Sequence, residues 1–191
     1  NRQNRLCARM LAALAFSASS LAAQAVLPDG AVLQFVAGTD GYNSNGNPIG
    51  VTSGSYFAVD TNGDGKFAML ERTAIAMHDG IVIGASQPAS GSHAGTVDGS
   101  ESPGIDQPWN FFGNTGMFQT LSPVIDYGDG TLDFSGLGVT WASIPNIPLG
   151  QLAHPSDTQR ASIVCSSTPC QVGDTYVLEF RGHVPQGDPS G

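Results

Sequence analysis

From Ala31 to Val184 the chain never sustains one apolar pattern for long. Short apolar or alternating runs are broken by clusters of Gly, Asn, Asp, Ser and Pro. Gly (25) and Pro (12) are abundant while charged residues make up only 12% of the 191, which leaves few of the Glu, Lys and Arg that helix interiors favour. The pattern is that of an all-β fold, an antiparallel, jelly-roll-like β-sandwich. Alternation and β-branched or aromatic content place strands at Ala31–Val36, Ser55–Val59, Ile81–Ile83, Trp109–Phe112, Met117–Leu121, Val124–Tyr127, Thr131–Phe134, Gly138–Trp141, Ala161–Cys165 and Thr175–Val184. Asp129-Gly130 is a hairpin signal, because this dipeptide tolerates the positive φ of a tight turn. Gly38–Gly50 and Gln87–Gln107 read as long loops. One short helix is expected from Met69 through His78, ended by Asp79-Gly80.

That helix would leave a loop with its own chemistry. Asp60–Glu71 matches D-x-[DN]-x-[DN]-G-x5-E over its full length. Asp60, Asn62 and Asp64 fill positions 1, 3 and 5, the carbonyl of Lys66 serves position 7, and Glu71 brings both carboxylate oxygens at position 12. Calcium is a hard cation that takes six to eight oxygens, and alternate residues of a tightly curved loop aim theirs at one centre. Gly65 permits the sharp turn. The twelve residues are similar to EF-hand and dockerin-type loops. Phe67 at position 8, Ala68 at position 9 and Arg72 after the loop depart from that pattern, and water has to complete the shell at Ala68. The preceding segment alternates like a strand, so strand–loop–helix is expected, with no paired second loop. An unpaired site suits structural stabilisation rather than signalling. Its expected Kd is of extracellular grade, about 10⁻⁴ to 10⁻³ M.

The N-terminus reads as a secretory signal peptide over residues 1–25. Arg2, Arg5 and Arg9 precede the apolar run Met10–Phe16, and small residues lead to Ala23-Gln24-Ala25. The apolar run is too short to span a bilayer, which takes about 20 residues. Residues 26–191 then form a single domain, which reads as truncated at its C-terminus. Removing three of the seven basic residues leaves four against sixteen acidic ones, a net charge near −12. Such a chain lacks the cations that nucleic acid or an anionic membrane surface requires. In an oxidising compartment the remaining pair, Cys165 and Cys170, reads as a structural disulfide closing a tight loop between strands.

Weaker groupings remain. Asp126, Asp129 and Asp133 cluster around a turn, and a second calcium site there competes with a plain solvated hairpin. Asp98, Glu101 and Asp106 lie in a long loop, and Asp40, Asn43 and Asn45 read as turn residues. Ser92 and His93 are adjacent, but no G-x-S-x-G elbow is present. His78, His93, His154 and His183 are scattered without a recognised metal-binding spacing. Trp109 and Trp141, with Phe111 and Phe112, are candidates for a sugar-binding platform, although Phe111 and Phe112 should face opposite sides of a strand; core packing is the simpler role.

Gly54–Phe57, Asp60–Lys66, Ala89–Gly95, Pro108–Gly116, Asp133–Gly136 and Gly187–Gly191 resemble stretches of exported bacterial proteins that carry sorting tails of the PEP-CTERM or VPLPA-CTERM type. The resemblance implies export through the periplasm, display at the cell surface or in the extracellular matrix, and no assigned enzymatic activity; a non-enzymatic role is the expectation. It also implies membrane association only through a C-terminal sorting tail that would lie beyond Gly191. Calcium is the expected cofactor, with extracellular polysaccharide or matrix as the expected partner. The alternative functions are a calcium-dependent carbohydrate-binding module and a secreted hydrolase whose paired carboxylates meet only in the fold.

Overall fold

The computed structural model describes residues 26–90, 93–95, 102 and 104–185. The expected signal peptide lies outside them. The described chain is all-β, with thirteen strands in five antiparallel sheets. The largest sheet has the order β11-β10-β8-β7, formed by Ile144–Pro148, Leu137–Trp141, Asn114–Thr120 and Trp109–Phe111. A three-stranded sheet joins β13 (Tyr176–Glu179), β12 (Arg160–Cys165) and β9 (Thr131–Asp133). Three two-stranded ribbons complete the set: β1 (Val32–Leu33) with β6 (Ile81–Val82), β2 (Thr39–Tyr42) with β3 (Pro48–Ser53), and β4 (Tyr56–Ala58) with β5 (Arg72–Ala74).

Alternation decides which faces are buried. In β12, Ala161 and Ile163 point inward while Arg160, Ser162 and Val164 are exposed. They join Leu132, Phe134, Leu137, Val124, Ile105, Ile81, Ile83, Leu33 and Leu27 in the main core. A second cluster of Trp109, Val139 and Ile147 is packed by Phe57, Phe111 and Trp141. Phe118 and Leu149 pack against both clusters and link them.

Several elements differ from the sequence expectation. The helix over Met69–His78 is absent. Met69–Glu71 forms a single 3-10 turn, and β5 follows at once, with Tyr56 opposite Ala74 and Ala58 opposite Arg72. Pairing with β4 outweighs the helix preference of Leu70, Glu71 and Arg72, since propensity is worth only tenths of a kcal/mol per residue, roughly 0 to 0.7. The stretch Gly38–Gly50 is not a loop but most of a hairpin, β2–β3, closed by Asn43, whose Oδ1 accepts from the amides of Asn45 (2.9 Å) and Asn47 (3.0 Å). Asp40, Asn43 and Asn45 are therefore hairpin residues. Val124–Tyr127 does not form a full strand: it contributes only single bridges, Val124 with Ile83 and Asp126 with Leu132. The strand β11 carries Pro145 and Pro148 and lies at a sheet edge, where a missing amide costs least. Phe112 is not in a strand either. With Gly113 it forms a two-residue turn at φ 48 and 75, joining β7 to β8 and leaving the Phe111 and Phe112 rings 4.2 Å apart.

Candidate functional site

The segment Asp60–Glu71 connects β4 to β5, so strand pairing fixes both of its ends. Beyond the ladder, the Val59 amide donates to the Glu71 carbonyl at 3.2 Å. Within the loop, side-chain oxygens accept from amides further along the chain. Asp60 Oδ1 accepts from Gly63 (2.8 Å) and Asp64 (3.1 Å), and Oδ2 from Gly65 (2.8 Å). Asn62 Oδ1 accepts from Asp64 (2.9 Å), and Asp64 Oδ1 from Lys66 (2.8 Å). The Asn62 and Asp64 links, each two residues long, are Asx-turns, and the longer Asp60 links curl the loop around its carboxylate. Gly63 and Gly65, at φ 72 and 76, take the positive-φ positions this curvature needs.

Glu71 closes the ring. Its Oε1 accepts from the amide and hydroxyl of Thr61, both at 3.0 Å, and Oε2 accepts from the Ala68 amide at 2.9 Å. The residue is buried, whereas Thr61–Leu70 are exposed. The Ala68 amide is the main cause that holds its carboxyl below the ordinary value of 4.5; burial and the nearby Asp60 charge push the other way, and the Thr61 hydroxyl and amide add to the lowering. Position 1 and position 12 are thus drawn together at the mouth of one loop, and a cation would relieve their repulsion. The loop carboxylates are nevertheless spread wider than a single ligand sphere. Among the described residues, a different group alone has three His, Cys or acidic ligand atoms all within 4.8 Å of one another. The residue types fit a hard cation, and binding one requires Asp60, Asp64 and Glu71 to exchange amide contacts for it.

The other acidic groupings resolve into separate ties. Asp126 is buried and accepts from the amides of Leu27 (2.9 Å) and Gly128 (2.8 Å). Asp129 accepts from Thr131 and pairs with Arg160 at 3.2 Å, and Asp133 accepts from the Tyr127 hydroxyl at 2.8 Å. Asp98 and Glu101 lie outside the described residues. Asp106 is fully buried, accepting from Trp109 Nε1 (2.9 Å) and the Phe118 amide (3.1 Å). Desolvation pushes its pKa up to about 8 against these two donors. Trp109, packed between Phe57 and Phe118, has no open face for a sugar, which corrects its assignment to a platform. Trp141 is half-buried and donates to the Phe111 carbonyl at 3.1 Å. Cys165 and Cys170 are disulfide-bonded, with Cα atoms 5.4 Å apart, across the β12–β13 connection. No helix of the described residues is long and apolar enough to cross a membrane.

Ser92 lies outside the described residues. Both ring nitrogens of its buried neighbour His93 have partners, Thr140 Oγ1 at 2.7 Å and the Ser102 carbonyl at 2.6 Å. The histidines are less scattered than their spacing suggests. A turn places Asp157 against His154, its amide donating to the His154 carbonyl at 2.9 Å, and His183 returns beyond β13 to meet both. The separation of 26 residues between Asp157 and His183 hides this from the sequence; the only local sign is the His154-x-x-Asp157 spacing.

No protein-family model, curated protein or solved structure matches this chain.

Proposed function

We propose that the protein is an exported, non-enzymatic all-β protein of the cell surface or extracellular matrix, held together by one calcium ion in the Asp60–Glu71 loop. The observation that carries this reading is the closure of the loop by Glu71 onto Thr61 and Ala68, which joins the two ends of the twelve-residue pattern. Asp60, Asn62, Asp64, the Lys66 carbonyl and Glu71 supply the oxygens. Since the loop caps a hairpin instead of starting a helix, an ion there ties two strands together and moves no helix. A disulfide favours an oxidising compartment, as export provides. The packing of Phe118 and Leu137 into the same core as Leu132, Ala161 and Ile163 supports a two-layer, sandwich-like arrangement of the larger sheets. Display through a sorting tail and contact with extracellular polysaccharide belong to the same reading.

The test is calcium titration of the full chain against a chromophoric chelator. The expected result is one equivalent bound with Kd of about 10⁻⁴ to 10⁻³ M. Asp64→Ala or Glu71→Gln should weaken it at least about tenfold, each variant being checked for unchanged circular dichroism. Equal calcium binding by the wild type and a folded Asp64→Ala/Glu71→Gln double variant would sink the proposal.

A further inference from the structure

We propose that His154, Asp157 and His183 form a second metal site, one that takes a borderline divalent cation such as Zn²⁺ and not calcium. One ligand atom from each side chain lies within 4.8 Å of the others. The ligands come from two segments, the turn after β11 and the chain leaving β13, so the ion would fasten the C-terminal segment to that turn.

The chemistry separates this site from the loop. Imidazole nitrogen is a poor ligand for hard calcium and a good one for zinc, copper or nickel. Three protein ligands, two imidazoles and one carboxylate, leave a fourth position for water, the composition of an open zinc site. The supporting hydrogen bonds are already present. The Asp157 side chain is only 3% exposed, and its Oδ2 accepts from the His154 amide at 2.8 Å, which fixes the carboxylate plane. His154 Nδ1 lies 2.7 Å from Ser156 Oγ and accepts from the Ser156 amide at 3.2 Å, contacts that hold the ring in place. Among the described residues Nε2 of neither ring has a hydrogen-bond partner, and the two rings stack at 4.4 Å with planes 23° apart.

His183 Nδ1 and Asp157 Oδ1 are 2.5 Å apart, joined through the proton of one hydrogen bond. Zinc bonds of about 2.0–2.2 Å in a tetrahedron separate ligand atoms by about 3.3 Å. Zinc would displace that proton, part the pair by under about 1 Å, and draw in the third ligand from within 4.8 Å. Among the described residues no Lys or Arg pairs with Asp157, and Arg160 is engaged with Asp129. The acidic chain, net −9, favours cation approach in general.

The experiment is Zn²⁺ titration of the full chain in saturating Ca²⁺, read by competition with a chromogenic chelator. The expected result is one zinc bound per chain. His154→Ala and His183→Ala should each weaken it by about 100-fold or more, above the roughly 10- to 100-fold expected on loss of an outer partner. His78→Ala, which removes a His–Asp contact elsewhere in the fold, should bind as wild type does. X-ray absorption of the zinc-loaded wild type should show two imidazoles in the metal shell, a readout that survives if a variant misfolds. No zinc bound, zinc retained in a folded His154→Ala/His183→Ala double variant, or a shell without imidazole would each overturn the proposal. Calcium binding at the loop is measured separately, so loss of either site leaves the other standing.

Discussion

Two carboxylates set opposite pH dependences. Asp106 is shielded from water, and its pKa in the folded chain is about 8 against an ordinary 3.8. Between those values the folded protein keeps a proton that the unfolded chain has lost. Stability from this group therefore falls as pH rises from about 4 to about 8 and is level above that. Glu71 is lowered, chiefly by the Ala68 amide. Its contribution is present above the unfolded value of 4.5 and is lost as pH falls through the folded value. Asp106→Asn should flatten the decline in melting temperature between pH 5 and 8. It should also cost about 1–3 kcal/mol at pH 5, because the amide N–H₂ must face either Trp109 Nε1–H or the Phe118 amide. An unchanged slope in the variant would show that Asp106 is ionised in the fold. The three-residue spacing of Asp106 and Trp109 is visible in the sequence. Their burial is not, since it depends on Phe57 and Phe118 arriving from other strands.

At the scale of elements, the sharp curvature of the loop is legible because its Asp, Asn and Gly residues sit within a few consecutive positions. The segment after the loop is not legible, because a long-range contact decides its form. Met69–His78 contains good helix formers, yet β4 captures Arg72–Ala74 and leaves one 3-10 turn. The strands β3 and β11 are hidden by Gly50 and by Pro145 and Pro148, residues that usually mark loops. Gly50 explains part of the arrangement. It has φ 93, and a Cβ there would lie 1.8 Å from the Met69 carbonyl oxygen, so β3 passes directly under the turn that ends the loop. Gly65, at φ 76, has open space around it. Gly50→Ala should therefore cost at least about 3 kcal/mol, and Gly65→Ala about 1–2 kcal/mol from the positive φ alone. Urea midpoints at fixed calcium measure both. Equal costs would mean that the loop exit does not rest on β3.

For the molecule as a whole, the all-β class is readable from punctuation and alternation, and the disulfide from the close spacing of Cys165 and Cys170. The meeting of His154, Asp157 and His183 is not readable, because it is made by the path of the chain through β12 and β13. The Cys165–Cys170 bridge closes a short loop, so its reduction should cost only about 2 kcal/mol. That corresponds to a fall of roughly 4–8 °C in Tm, measurable by scanning with and without a reductant. Calcium should matter on a similar scale. With Kd near 10⁻⁴ M, roughly 1 to 10 mM calcium stabilises the fold by about 1.4 to 2.7 kcal/mol, or about 3 to 10 °C in Tm. The most direct measurement is thermal melting of wild type and Asp60→Ala in 10 mM calcium and in excess chelator. The wild type should lose several degrees on chelation, and Asp60→Ala should melt at one temperature in both. The same shift in the two proteins, or none in the wild type, would contradict calcium binding by Asp60–Glu71.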